Sequence, residues 1–159
     1  MAPGACGRWR GEGEKVEKTE KTGKTERGEM VVVAAAVVRR EGRYLVARRL
    51  QGTHLAGLWE FPGGKCEPAE THEACLRREI QEELGVDATI GGLLLSVRHA
   101  YETREVELHF FACNLAGEPH ARLGQELAWV SPADLDRLPF PEADAELIAL
   151  LKRDRTATT

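Results

Sequence analysis

Met30 to Val38 is a run of apolar, mostly β-branched or small residues with no polar interruption, and such a run reads as a strand buried on both faces. Arg39-Arg40-Glu41-Gly42-Arg43 turns the chain, and Tyr44 to Arg48 returns as a second strand. Gln51 to Gly57 reads as a loop that leads into Leu58-Trp59-Glu60-Phe61-Pro62-Gly63-Gly64-Lys65. The period then changes. Leu76, Ile80 and Leu84 recur at helical spacing, Thr71 stands where a hydroxyl caps a helix, and Gly85 stands where one ends in a left-handed residue, so the spacing predicts a helix over 72–84. Thr89 to Ala100 and Val106 to Leu115 read as strands. In the second, Val106, Leu108 and Phe110 share one face, and Glu107, His109 and Phe111 the other. Leu127 to Val130 is a short strand, and Ser131-Pro132-Ala133-Asp134 opens a small helix with a cap and a first-turn proline. Pro141 starts a last helix, whose Leu147, Ile148, Leu150 and Leu151 face a sheet. Mixed strands with helices on both faces predict an α/β class fold, an α/β/α sandwich.

The chain has 159 residues, of which 42% are hydrophobic, which is enough for one domain with a core. Residues 1–28 are poor in apolar side chains and carry a loose EKV-EKT-EKT-GKT triplet, a composition expected to stay a disordered tail. Residues 29–155 are expected to form the folded domain. No apolar run reaches the ~18–20 residues of a membrane span, and residues 1–28 contain no secretory apolar segment, so a soluble, cytoplasmic protein without membrane partners is expected. Cys6, Cys66, Cys75 and Cys113 form no CxxC pair and no zinc spacing, so reduced, mostly structural thiols are expected. The net charge of −4 argues against nucleic acid as a bulk partner. Residues 1–28 hold seven Lys or Arg and five Asp or Glu, so the remainder is more acidic still.

On the helix over 72–84, Glu79, Glu82 and Glu83 are spaced i, i+3 and i+4, which puts three carboxylates on one face. Like charges so placed repel, and the hard divalent cations Mg²⁺ or Mn²⁺ suit oxygen ligands of this kind. Arg78 adjoins the cluster and is suited to hold one carboxylate by a forked hydrogen bond. Pro62 stiffens the segment before the helix, and Gly63 and Gly64 let the backbone approach a ligand.

From Gly64 through Glu70 to Arg78-Glu79-Ile80-Gln81-Glu82-Glu83-Leu84-Gly85-Val86 the chain fits GX5EX7REUXEEXGU without exception, and it is identified as similar to the Nudix hydrolases, with an entry segment over 58–65 that resembles the MutT-like branch. The resemblance runs from about Met30 to Lys152 and implies the Nudix fold. It also implies a metal-dependent pyrophosphohydrolase that cleaves a nucleoside triphosphate, such as 8-oxo-dGTP or CTP/dCTP, to a monophosphate and pyrophosphate after attack at the β-phosphorus, a nucleotide-pool sanitising activity. Two or three Mg²⁺ ions would lie on Glu79, Glu82, Glu83 and the Gly63 carbonyl, with Arg78 and Glu70 orienting them and Glu79 serving as ligand or base. The substrate would meet Arg48 or Arg49, Phe61, Gly64, Lys65, Arg104 and Asp144. The expected protein is a monomer or weak homodimer.

Two positions bear on that picture. Relatives carry a metal-binding Glu six residues before the Trp of the late strand, where this chain has Leu123; Glu126, three before Trp129, is the substitute if the segment 117–125 folds back. The alternative is a Nudix-fold nucleotide-binding or regulatory module that hydrolyses weakly because of Leu123. The position matching Asp144 reads the base in relatives. An ionised Asp only accepts hydrogen bonds, which favours donor-rich edges such as the cytosine N4 amine or the N7 hydrogen of 8-oxoguanine. Without a ligand, Asp144 would only complement a helix N-terminus.

Overall fold

The computed structural model describes residues 30–53, 55–102 and 104–154; the expected tail over 1–28, with Cys6 in it, lies outside the described residues. The strands are β1 (Met30–Arg40), β2 (Arg43–Arg48), β3 (Trp59–Glu60), β4 (Gly63–Lys65), β5 (Ala88–Ala100), β6 (Glu105–Leu115) and β7 (Glu126–Val130). The helices are α1 (His72–Leu84), α2 (Pro132–Leu135) and α3 (Ala145–Asp154), the last preceded by a 3₁₀ turn over Glu142–Asp144. The seven strands form a mixed sheet in the order β3-β2-β1-β6-β5, with β4 also on β1 and β7 also on β2. β1 and β6 run parallel, from Met30 beside Glu105 to Val38 beside Cys113, and the other pairs are antiparallel.

β1 shows why its sequence lacks alternation. Val31, Val33, Ala35 and Val37 enter one core with Leu147, Ile148 and Leu151 of α3, whereas Ala34, Ala36 and Val38 enter a second core with Leu76, Ile80 and Leu84 of α1. A central strand covered on both faces needs apolar side chains at every position. β6 divides the same way: Val106, Leu108 and Phe110 face the α3 core and Phe111 the α1 core. The sheet is thus sandwiched between α1 and the α2–α3 pair, the layered α/β fold that the pattern of elements predicts.

α1 is bounded as its sequence requires. The Thr71 hydroxyl accepts a hydrogen bond from the Ala74 amide at 3.0 Å, and Gly85 ends the helix at φ 66°. The first hairpin turn is tighter than the sequence suggests: only Glu41 and Gly42 leave the strands, both at positive φ, because two left-handed residues match the twist of the flanking strands. Pro141 stands before the 3₁₀ turn, and the α-helix proper begins at Ala145. No helix among the described residues is long and apolar enough to cross a membrane.

β4 sits unusually close to β1, with Gly63 beside Ala35 and Gly64 beside Ala34. A methyl group at Gly63 would fall inside contact distance of the Ala34 carbonyl oxygen and the Ala35 Cα, backbone atoms that cannot rotate away. Gly63→Ala is therefore expected to cost about 3 kcal/mol or more, whereas Gly92→Ala, which meets nothing within 4 Å, should stay within about 1 kcal/mol. Parallel urea titrations of the two variants measure the difference.

Candidate active site

The Arg78 guanidinium is the centre of the polar cluster at the start of α1. Its Nε donates to Glu70 Oε2 at 2.6 Å and its Nη2 to Glu70 Oε1 at 2.7 Å, so the fork expected at Arg78 is made to Glu70 rather than to a carboxylate of the Glu79, Glu82 and Glu83 row. The Nη1 donates to Glu79 Oε2 at 2.8 Å and lies 3.6 Å from Glu82, and Nη2 also reaches the Lys65 carbonyl at 3.3 Å. The forked Glu70 pairing, with Glu79 second in charge, holds the Arg78 proton more firmly than usual despite the burial that opposes it. Glu70 is itself set by a turn: the Glu70 amide donates to the Glu67 carbonyl, and the Glu67 amide to Glu70 Oε1.

Glu79 and Glu83 are buried, whereas the Glu82 side chain is 40% exposed. The Glu79 carboxyl group packs directly on Gly64, where any Cβ would overlap it, so the glycine is required by the carboxylate as well as by the strand. Among the described residues no three His, Cys, Asp or Glu side chains converge into a ready-made metal cage. The donor set nonetheless fits Mg²⁺ or Mn²⁺. Magnesium takes few protein carboxylates and completes its octahedron with water and phosphate oxygens, so a carboxylate row with one exposed member, Glu82, beside a glycine-lined backbone suits it better than a closed cage.

A separate cleft is lined by Arg49, Glu60, Phe61, Gly63, Tyr101 and Asp144, and Gly63 is followed in β4 by Gly64, on which the Glu79 carboxyl group packs. Of the two arginines that end the β2 hairpin, Arg49 is the one inside: it is buried and its Nη1 donates to Glu60 Oε1 at 2.5 Å. Arg48 faces outward, donates to the Gly57 carbonyl at 3.2 Å and to Glu126 at 3.4 Å, and lies over the Trp59 ring. Phe61 forms a wall of the cleft, stacked on Phe140 and edge-on to Phe110. Lys65 is half-buried at the end of β4. Arg104 lies outside this lining, although its charge reaches Tyr101. Burial raises the Tyr101 phenol, and the nearby Asp144 raises it further.

Asp144 corrects the sequence expectation of an ionised carboxylate. Burial first, and then the charge of Glu60, push its carboxyl up to about 8 against the opposing pull of Arg49, so that it is protonated near neutrality. A neutral carboxyl offers one donor beside one acceptor, unlike the acceptor-only group assumed from the sequence.

Glu126 requires a second correction. The segment over 117–125 does fold back onto the end of α1: the Arg122 amide and the Gln125 Nε2 donate to the Glu83 carbonyl, and the His120 amide to the Leu84 carbonyl. β7 alternates, however, and sends Leu127 and Trp129 to the α1 core and Ala128 and Val130 to the α3 core. Glu126 shares the face of Ala128, pairs with Arg48, and is not brought to the α1 carboxylates. The buried Gln125, which the sequence does not single out, takes the fold-back position, its Oε1 accepting from the Leu123 amide. The cysteine expectation also fails, because Cys66 and Cys75 are joined in a disulfide; the loop between them doubles back and brings their Cα atoms to 5.2 Å, which a nine-residue spacing does not reveal. Cys113 is a buried thiol whose pKa burial pushes up to about 12. Glu60 and Tyr101 were also not foreseen. Glu60 had a signal, a charged residue between two aromatic residues in a short strand, whereas Tyr101 had none.

A family profile described as NUDIX domain matches residues 33–150. The CTP pyrophosphohydrolase of Escherichia coli is 37% identical over 81% of this chain and 96% of its own length. The 8-oxo-dGTP diphosphatase of Haemophilus influenzae is 39% identical over 76% of this chain and 90% of its own. The solution structure of the E. coli ORF135 protein superimposes with a TM-score of 0.73 at 37% identity and covers 82% of this chain and 94% of that one.

Two outcomes follow from the geometry. Arg78→Lys replaces a fork by a point charge and is expected to lower stability by about 2–4 kcal/mol, somewhat less than for a fully buried pair because Arg78 is 29% exposed; chemical denaturation measures it. Asp144 binds a proton in the folded state that the unfolded chain has released between the two pKa values. Its contribution is therefore complete below the unfolded value near 4 and is lost as pH rises through about 8. Asp144→Asn should melt higher than the parent at pH 9, with the advantage shrinking towards pH 4.5 in a melting series.

Proposed function

The chain belongs to the Nudix hydrolase family, and from that premise we propose that it is a magnesium-dependent, MutT-like pyrophosphohydrolase that cleaves a modified or cytosine-bearing nucleoside triphosphate to the monophosphate and pyrophosphate. The observation that carries the reading is the carboxylate row of α1, held by Arg78 through its contacts with Glu70, Glu79 and Glu82.

Glu82 and Glu83 are the metal ligands in this reading, with Glu79 as ligand or base and the Gly63 carbonyl as a backbone donor. Bound Mg²⁺ would neutralise phosphate charge and acidify a water molecule near the scissile bond. The chain's own residues position everything else. Arg78 fixes Glu70 and Glu79 in one orientation, so the carboxylate face is set before the substrate arrives. Lys65 shares the face of Gly63 in β4 and of Val33 beside it in β1, where it would meet phosphate oxygens, and Arg49 would meet the nucleotide within the cleft. Phe61 offers an apolar wall to a base.

The neutral Asp144 supplies specificity. Its donor–acceptor pair complements an edge that presents an acceptor beside a donor. Cytosine does so with N3 and the N4 amine, and 8-oxoguanine with O6 and the N7 hydrogen. Guanine presents two acceptors, N7 and O6, on the corresponding edge, so the carboxyl carbonyl is left facing a lone pair. A hydrogen-bonding mismatch of this kind is worth roughly 1–3 kcal/mol, about ten- to a hundredfold in kcat/KM.

With Leu123 and Glu126 both outside the carboxylate face, the reading assigns the base to α1 itself. It is tested by pyrophosphate release from CTP, dCTP, 5-methyl-dCTP, 8-oxo-dGTP and dGTP with Mg²⁺. At least one of the first four should exceed dGTP about tenfold or more, and Glu83→Gln should lower turnover by at least about two orders of magnitude. Binding without pyrophosphate release across the panel would instead support the nucleotide-binding module.

A further inference from the structure

Cys66 directly follows β4, the strand that carries Gly63 and Gly64, and Cys75 lies in the first turn of α1. Their disulfide closes a ring of chain that contains Glu67, Glu70 and Thr71. Those three residues hold the segment in different ways, since Glu67 and Glu70 make the turn, Glu70 receives the Arg78 fork, and Thr71 caps α1. Cys75 Sγ is also 3.8 Å from the Gly64 carbonyl oxygen, on the strand against which the Glu79 carboxyl group packs. The outer side of the ring, Glu67 to Ala69, is exposed, and both sulfurs lie beneath it. Besides the covalent link, a hydroxyl cap, a carboxylate turn, the Arg78 fork and the Cys66 amide on the Val32 carbonyl hold the segment.

From this placement we propose that Cys66 and Cys75 form a reversible, hydroperoxide-driven clamp on the acidic motif, closed when oxidised and released by a dithiol reductant. The chemistry balances without a cofactor. One thiolate attacks the peroxide oxygen, the O–O bond breaks, and a sulfenic acid forms as water or alcohol leaves. The second sulfur attacks the sulfenic sulfur, the S–S bond forms, and a second water carries away the oxygen with the remaining thiol proton. Two electrons pass from the sulfur pair to the peroxide. Cys113 lies on β6, outside the ring that the disulfide closes, and takes no part. Closing the ring restricts the segment in the unfolded and locally open states, so the oxidised protein keeps Glu70 in register with Arg78 where the reduced one opens more often.

The test compares the full-length protein after dithiothreitol with the same protein after hydrogen peroxide, by three readouts independent of catalysis. Peptide mapping should find the Cys66 and Cys75 peptides joined only after peroxide. Amide exchange over residues 67–74 should slow about tenfold on oxidation, with β5 and β6 unchanged. The melting temperature should rise by about 5 °C. Cys66→Ser should remove all three responses; if that variant fails to fold, the wild-type pair of states decides alone. Thiols still free after peroxide, or a joined pair with unchanged exchange over 67–74, overturns the clamp.

Discussion

One guanidinium makes the acidic face of α1 possible. Three carboxylates within a single turn repel one another, and burying Glu79 and Glu83 makes that repulsion more costly. Arg78 offsets it from within the same turn, gripping Glu70 with both sides of its fork and Glu79 with the remaining nitrogen. A lysine has the charge but not the geometry, because it cannot satisfy two carboxylates and a carbonyl from one plane. The Thr71 cap, the Glu67–Glu70 turn and the Cys66–Cys75 link all secure the segment that presents Glu70 to it.

The site lies where the two cores meet. β1 is shared by both, one side packed on α1 and the other on α3, and β4 lies against its middle. Gly63 lines the cleft on the α3 side of β4, and Gly64 packs on the Glu79 carboxyl group on the α1 side, so each glycine is required by a different neighbour. The same arrangement buries Asp144 beside Glu60, so a fold-level constraint sets the protonation of its carboxyl group.

The two polar clusters differ in electrostatics. At Arg78 one guanidinium faces Glu70, Glu79 and Glu82, which leaves an excess of negative charge. At Asp144 one arginine faces two carboxyl groups, and the one with less compensation stays protonated.

The sequence alone determined α1, its cap at Thr71, its end at Gly85 and the carboxylate face, because each is local and set by helical spacing or by short turns. It also determined the double burial of β1, which needs only an uninterrupted apolar run. Tertiary structure decided which of Arg48 and Arg49 enters the cleft, that Glu126 faces away, that Asp144 is neutral and that Cys66 meets Cys75. Those outcomes depend on strand pairing, on which face a residue shares, and on how much water and charge surround a group. Such quantities belong to residues far apart in the chain, and local spacing carries no record of them.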